Sequence, residues 1–225
     1  MKARILLLAM CITLAVVPAM AQLYSSGPIN GNTDAWTINF GFVVSDSFYN
    51  PESGSTITGA TFGMWLFSGD TLTSAELSIT SNENGGTTYF DQTVNFTTGA
   101  CTANKYGYNV CTENTSFGGP SLSKGTYWLN LQNASVPSGD PVYWDENHGG
   151  TNAQPPEASE SSVGTIPVES FSLWASCYGK DSTDCARLST VPDSTTVPEP
   201  GSFGLLGSGC MAVFGFLDAL RRKLF

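Results

Sequence analysis

The sequence predicts an all-β chain, an antiparallel β-sandwich of jelly-roll type, with a helical segment at each end. Three observations carry this prediction. Apolar residues in the middle of the chain recur at every second position, as a half-buried strand requires. The runs are separated by Gly-, Asn- and Pro-rich turn sequences. No helical period persists there for three turns. Many short strands punctuated in this way make a sandwich or a barrel, and the sandwich is the commoner choice for an exported β domain.

The first element is not a strand. Residues 1–21, "MKARILLLAMCITLAVVPAMA", place Lys2 and Arg4 before an apolar run from Ile5 to Val17. The run ends on Ala19-Met20-Ala21, the small-x-small pattern cut by signal peptidase. It falls short of the roughly 20 residues needed to span a bilayer. A cleaved secretory signal is therefore expected, leaving Gln22 as the first mature residue. Cys11 lies inside the apolar run behind the bulky Met10, which does not suit a lipoprotein site.

The domain proper is expected to occupy residues 22–188. "WTINFGFVV" aligns Trp36, Ile38, Phe40, Phe42 and Val44 on one face of a strand. "TFGMWLF" is apolar on both faces and suits an interior strand, or one beneath a loop. "AELSIT" turns Ala75, Leu77 and Ile79 inward, and "YFDQTVNF" aligns Phe90, Val94 and Phe96. "TYWLNLQ" aligns Tyr127, Leu129 and Leu131, and "SFSLWAS" aligns Phe171, Leu173 and Ala175. Residues 152–162, "NAQPPEASESS", read as a long exposed loop. Residues 189–196 read as a linker within a Pro/Ser/Thr-rich stretch.

Residues 22–197 hold four basic side chains, Lys105, Lys124, Lys180 and Arg187, against seventeen acidic ones, a net charge of −13. Nucleic acids and anionic lipids are bound through Lys and Arg that displace counterions, so such a surface excludes them. Divalent cations and neutral sugars suit it better. Four cysteines remain in this region: Cys101, Cys111, Cys177 and Cys185. They allow three pairings. The favoured one is Cys101–Cys111 with Cys177–Cys185, each closing a short loop in an oxidising compartment. Zinc is the alternative, but neither spacing is C-x2-C and the only histidine is His148.

Catalytic constellations are scarce. A triad would have to use His148, and no G-x-S-x-G elbow accompanies it. Asp140, Asp145 and Glu146 supply carboxylates of the kind a glycosidase pairs, but turn-forming Asp is the simpler account. The chain is therefore not expected to be an enzyme and to need no cofactor. Ca²⁺ is the metal that an irregular acidic loop site could take, through Asp145 and Glu146. The stretch "DENHGG" begins like a Ca²⁺ loop, yet Pro156 stands where the twelfth-position Glu of an EF-hand belongs. Five tryptophans raise sugar binding. Trp128 and Trp174 fall opposite the aliphatic stripe of their strands, and with Trp144 they are the candidate stacking platforms for a polysaccharide.

The last segment, residues 197–225, is "VPEPGSFGLLGSGCMAVFGFLDALRRKLF". Its apolar stretch reaches about 20 residues only from Gly201 through Leu220, with Asp218 included, just enough to span a bilayer. Arg221, Arg222 and Lys223 would stop transfer and stay cytoplasmic. Val197-Pro198-Glu199-Pro200, the Gly- and Leu-rich "LLGSG" segment and the closing Arg-Arg-Lys together resemble the PEP-CTERM sorting signal of exported Gram-negative proteins. Cys210 and Asp218 are less usual in such a helix.

That resemblance implies recognition of Pro198, Glu199 and Pro200 by a membrane-embedded exosortase, which would cut near them. It implies an inner-membrane-anchored precursor, released to the cell surface or extracellular matrix of a biofilm-forming bacterium. The stretches "VSDSF", "GTYWLNLQNA", "PVYWDENHGG" and "VESF" are similar to a recurrent exported β domain that often precedes this tail. No activity comes with that similarity. The expected role is a non-enzymatic surface or matrix protein. The alternatives are a carbohydrate-binding module for exopolysaccharide and, behind it, a glycoside hydrolase.

Overall fold

The computed structural model describes residues 20–51, 53–147 and 157–176. The chain divides into two units, Met1–Thr190 and Val191–Phe225, and all the described residues lie in the first. The expected helical signal, the linker, the C-terminal helix, His148, Cys177 and Cys185 lie outside the described residues.

Every regular element described is a strand, and all named strand pairs are antiparallel. One sheet has eight strands, centred on β4 (Ser55–Leu66). Along one edge of β4 lie β14 (Phe171–Ser176) and then β11 (Tyr143–Asp145), which carry β1 (Met20–Ser25) and β2 (Ala35–Thr37) respectively. Along its other edge lie β9 (Ser121–Leu122) and β8 (Asn109–Ser116), the latter paired with β7 (Thr97–Ala103). The second sheet runs β13 (Gly164–Ile166), β12 (Ala158–Glu160), β3 (Val44–Asn50), β10 (Gly125–Ser135), β5 (Ser74–Asn82), β6 (Gly85–Asn95).

Both sheets contribute alternate residues to one apolar cluster. Phe62, Met64 and Leu66 of β4 join Phe171 and Leu173 of β14, Val44 and Phe48 of β3, Leu129 and Leu131 of β10, and Leu77 and Ile79 of β5. Phe62, Trp144 and Phe171 form an aromatic trio at its centre, with ring centroids 5.4–6.4 Å apart. Trp144 meets both phenylalanines edge-on while they stack on each other, and such ring pairs are favourable beyond the area they bury. The period-two stripes of β5, β10 and β14 point inward as their sequences predict. β4, apolar on both faces, is the interior strand.

Three expectations are corrected. "WTINFGFVV" is not one strand: β2 ends at Thr37, a turn follows, and β3 starts at Val44. Phe40 and Phe42 are exposed in that turn, where Phe40 and Gly41 adopt positive φ, 58° and 88°, and turn the chain out of the extended region. The loop-like sequence between Cys101 and Cys111 is the end of a β-hairpin, β7–β8. Its buried positions on β8 include Glu113 and Thr115, so the sequence shows no apolar alternation. Within the expected exposed loop 152–162, residues Ala158–Glu160 form β12, buried and paired with β3. Ala158 faces the core while Ser159 and Glu160 are held by side-chain hydrogen bonds, which polarity alone conceals.

Ala21, expected to end the signal, pairs with Ala175 in β1. A chain beginning at Gln22 keeps Gln22, Tyr24 and Ser25 in register with Trp174, Leu173 and Ser172, and keeps Leu23 in the core.

Candidate functional site

Cys101 and Cys111 are directly opposite each other on β7 and β8, with Cα atoms 4.0 Å apart, and they form a disulfide. The bridge pins the tip that carries Tyr106 and Tyr108. Tyr106 stacks on Trp65 at 5.6 Å, Tyr108 meets Phe67 edge-on at 5.0 Å, and Lys105 lies 4.7 Å above the Tyr106 ring.

Of the carboxylates singled out in the sequence, Asp145 and Glu146 are buried side by side, while Asp140 lies apart from them beside Asn39. Asp145 is fully buried where β11 stops and β14 has not yet begun. Its Oδ1 accepts from Gly31 N at 2.9 Å and Trp65 Nε1 at 2.6 Å. Its Oδ2 accepts from Asn30 N at 2.9 Å and Ser170 Oγ at 2.9 Å. A carboxylate has about four acceptor sites, and four donors fill them. Asp145 thereby clamps the segment after β1 onto the sheet at Gly63. A side chain there could not fit, since a Cβ would come 2.5 Å from Ser170 Oγ and 3.0 Å from Asp145 Cβ. Glu146 is 5% exposed, and its Oε2 accepts from Trp36 Nε1 at 3.1 Å. Among the described residues no three His, Cys, Asp or Glu are placed to hold a metal ion.

Sequence reading missed a second acidic group, because Asp46 occupies an inward position of β3 between Val44 and Phe48, where an apolar residue belongs. Asp46 and Glu169 are both fully buried. Asp46 Oδ2 accepts from Glu169 N at 2.7 Å. Among the described residues, Asp46 Oδ1 and both Glu169 carboxylate oxygens have no hydrogen-bond partner. The only basic side chains among the described residues, Lys105 and Lys124, are exposed. Burial pushes both acids well above the usual carboxylate range. The charge of Asp46, and then those of Glu146, Asp145 and Asp34, raises Glu169 further. Carboxyls so placed are held neutral. With no exposed surface, they offer nothing to a substrate. Glu113, also fully buried, is lifted by burial to about 7, and among the described residues its partner is the Thr98 hydroxyl.

The three candidate tryptophans separate. Trp144 has no exposed surface, and its Nε1 donates to Ser170 O at 3.0 Å; it is a core residue and offers no face to a sugar. Trp128 is 9% exposed, its register partners being Ser47 and Thr80 on the flanking strands. Trp174 is half-buried. Its Nε1 donates to Thr61 Oγ1 at 3.0 Å, and Thr61 Oγ1 donates to Asn114 Oδ1 at 2.9 Å. This row crosses β14, β4 and β8 and lines a shallow groove of about 350 Å³, floored by Gly59 and Ala60.

The described domain is thus an all-β, disulfide-bridged unit in which the buried carboxylates serve structure. The chain's biological address lies in its tail. Residues 196–223 match the model of the PEP-CTERM protein-sorting motif, so the tail carries that motif. The chain matches no curated protein. The motif marks an exported protein with a membrane-anchored precursor, and exosortase as its processing partner. Pro198, Glu199 and Pro200 fall within the matched residues, as do Arg221, Arg222 and Lys223.

Proposed function

We propose that this protein is a non-enzymatic surface or extracellular-matrix component of a Gram-negative bacterium, delivered by its cleavable tail. The sorting motif at residues 196–223 carries this reading. An exported disulfide-bridged β domain ahead of it agrees with that destination. Signal peptidase removes residues 1–21, exosortase cuts near Pro198-Glu199-Pro200, and the sandwich is left outside the cell.

Intact-mass measurement of protein from membrane and extracellular fractions of the native host tests this. A chain from Gln22 to near residue 200 outside the cell is the expected result. A chain ending at Phe225 and confined to the inner membrane would show a simple anchor instead.

A second reading, a carbohydrate-binding module for exopolysaccharide, is favoured by the Trp174 groove. There an aromatic ring, a hydroxyl and a carboxamide line one open sheet face, the mixture of groups that sugar sites use. Loss of oligosaccharide binding on Trp174→Ala would support it; unchanged binding would remove this groove from consideration.

A further inference from the structure

The turn between β2 and β3 is built against local preference. Phe42 N donates to Asn39 O at 3.2 Å, and the two residues between them, Phe40 and Gly41, have φ of 58° and 88°. Positive φ at both central positions is the type I′ pattern, for which Asn-Gly is the favoured pair. Here phenylalanine stands where asparagine would relax the turn. A bulky side chain in that conformation costs about 1–2 kcal/mol. Burial does not offset the cost, because Phe40 is 64% exposed.

Across from this ring lies a second residue at positive φ, one that tolerates it. Among the described residues three non-glycines have positive φ: Phe40, Asn84 and Asn133. Two of them, Phe40 and Asn133, line one cavity of about 300 Å³, together with Asn39 and Asp140. The walls are fixed to each other. Asn39 Nδ2 donates to Asp140 O at 3.0 Å, and Val142 N donates to Asn39 Oδ1 at 3.3 Å. Asn133 Nδ2 donates to Glu76 Oε2 at 2.8 Å. Strain retained by a rigid frame around a cavity is a mark of a ligand site.

We infer that this cavity binds a neutral sugar, with the Phe40 ring stacking on the sugar's C–H face. Asp140 and Asn133 supply acceptors for its hydroxyls. The chemistry selects the ligand. An exposed ring beside a carboxylate and a carboxamide matches a pyranose, apolar on its face and hydroxylated at its rim. Asp140 and Glu76 repel an anionic saccharide, and neither of the described lysines lines the cavity. The assignment rests on the carbohydrate reading and adds a site separate from the Trp174 groove.

Binding of full-length protein to a panel of neutral hexose oligosaccharides, with melting temperature recorded for each variant, tests it. The expected result is at least a tenfold loss of affinity in Phe40→Ala and in Phe40→Asn, with Trp174→Ala retaining binding through this cavity. Phe40→Asn is expected to melt a few degrees higher than the parent, because asparagine suits the turn. If both Phe40 variants bind like the parent while Trp174→Ala loses binding, the sugar reading stands and this site is wrong. If the parent binds no oligosaccharide in the panel, both fall.

Discussion

Asp145 and the Asp46–Glu169 pair are acids of equal burial and opposite circumstance. Asp145 receives four hydrogen bonds, two from backbone N–H groups, one from an indole and one from a hydroxyl. The pair receives one between its two carboxyls, leaving three oxygens without a donor. Burial alone therefore does not determine what a carboxylate does in this fold. Where donors converge, the carboxyl ties a loop to the sheet. Where they are missing, desolvation wins and the neutral acid is the stable form. The first arrangement fails when its acceptor is removed; the second fails when its proton is removed.

The largest effect is expected at Asp145. Asp145→Ala strands the N–H groups of Asn30 and Gly31 and the Trp65 indole in a buried site. Each buried donor left without an acceptor typically costs about 1–3 kcal/mol. Urea unfolding should show a lower midpoint with little change in slope. A midpoint equal to the parent's would mean that water replaces the carboxylate and that the clamp is not structural. The bridge comes next. Cys101→Ser with Cys111→Ser should lower stability by about 2–3 kcal/mol, since a short closed loop gives the unfolded chain a modest constraint. Reduction of the parent by dithiothreitol should reproduce the loss.

The Asp46–Glu169 pair predicts the opposite sign. Both acids are raised above their ordinary values. Their contribution to stability is fully present below the carboxylate values of the unfolded chain, near pH 4. It is lost as pH rises through the higher folded values. The melting temperature of the parent should thus fall from pH 5 toward pH 8. Asp46→Asn and Glu169→Gln should flatten that fall and melt higher than the parent at pH 8. Variants that melt lower at pH 8 would show that the ionised pair is stabilised by a bound cation, and a Ca²⁺ titration of the parent would then raise its melting temperature.

Much of this architecture is legible in the sequence, and what is hidden has a physical cause. The stripes of β5, β10 and β14 are readable because one face of each strand is apolar at every second position, while the other is mostly polar and carries at most one tryptophan. β8 is unreadable because Cys111, Glu113 and Thr115 are its buried residues. β12 is unreadable because it consists of Ala, Ser and Glu, which owe their burial to neighbours distant in sequence. The β2–β3 turn is hidden by Phe40 and Phe42, which continue the alternation that a strand would show. Asp145 and Trp144 are legible as residues of interest, but their roles depend on partners 25 to more than 100 positions away. The tail is the reverse case. Its meaning is carried by local order, Pro-Glu-Pro, apolar run and basic cluster, and needs no tertiary structure to be read.

The smallest expected effect, at Glu113, separates the two kinds of buried acid most sharply, because Glu113 stands between them. It has one donor, the Thr98 hydroxyl, at 2.9 and 3.0 Å from its two oxygens. Burial raises it from 4.5 to about 7, with Thr98 pulling the other way. Its stabilising contribution is therefore present below pH 4.5, declines through pH 7 and changes little above that. Glu113→Gln should leave the melting temperature at pH 4 nearly unchanged and raise it at pH 8. Thr98→Val should have the opposite effect at pH 8, since it removes the only hydrogen bond that favours the charged form. A double variant that melts like Glu113→Gln alone would show that Thr98 acts through Glu113. If Thr98→Val instead lowers stability equally at pH 4 and pH 8, the hydroxyl serves packing in β7, and Glu113 belongs with Asp46 and Glu169 as an acid held neutral by burial alone.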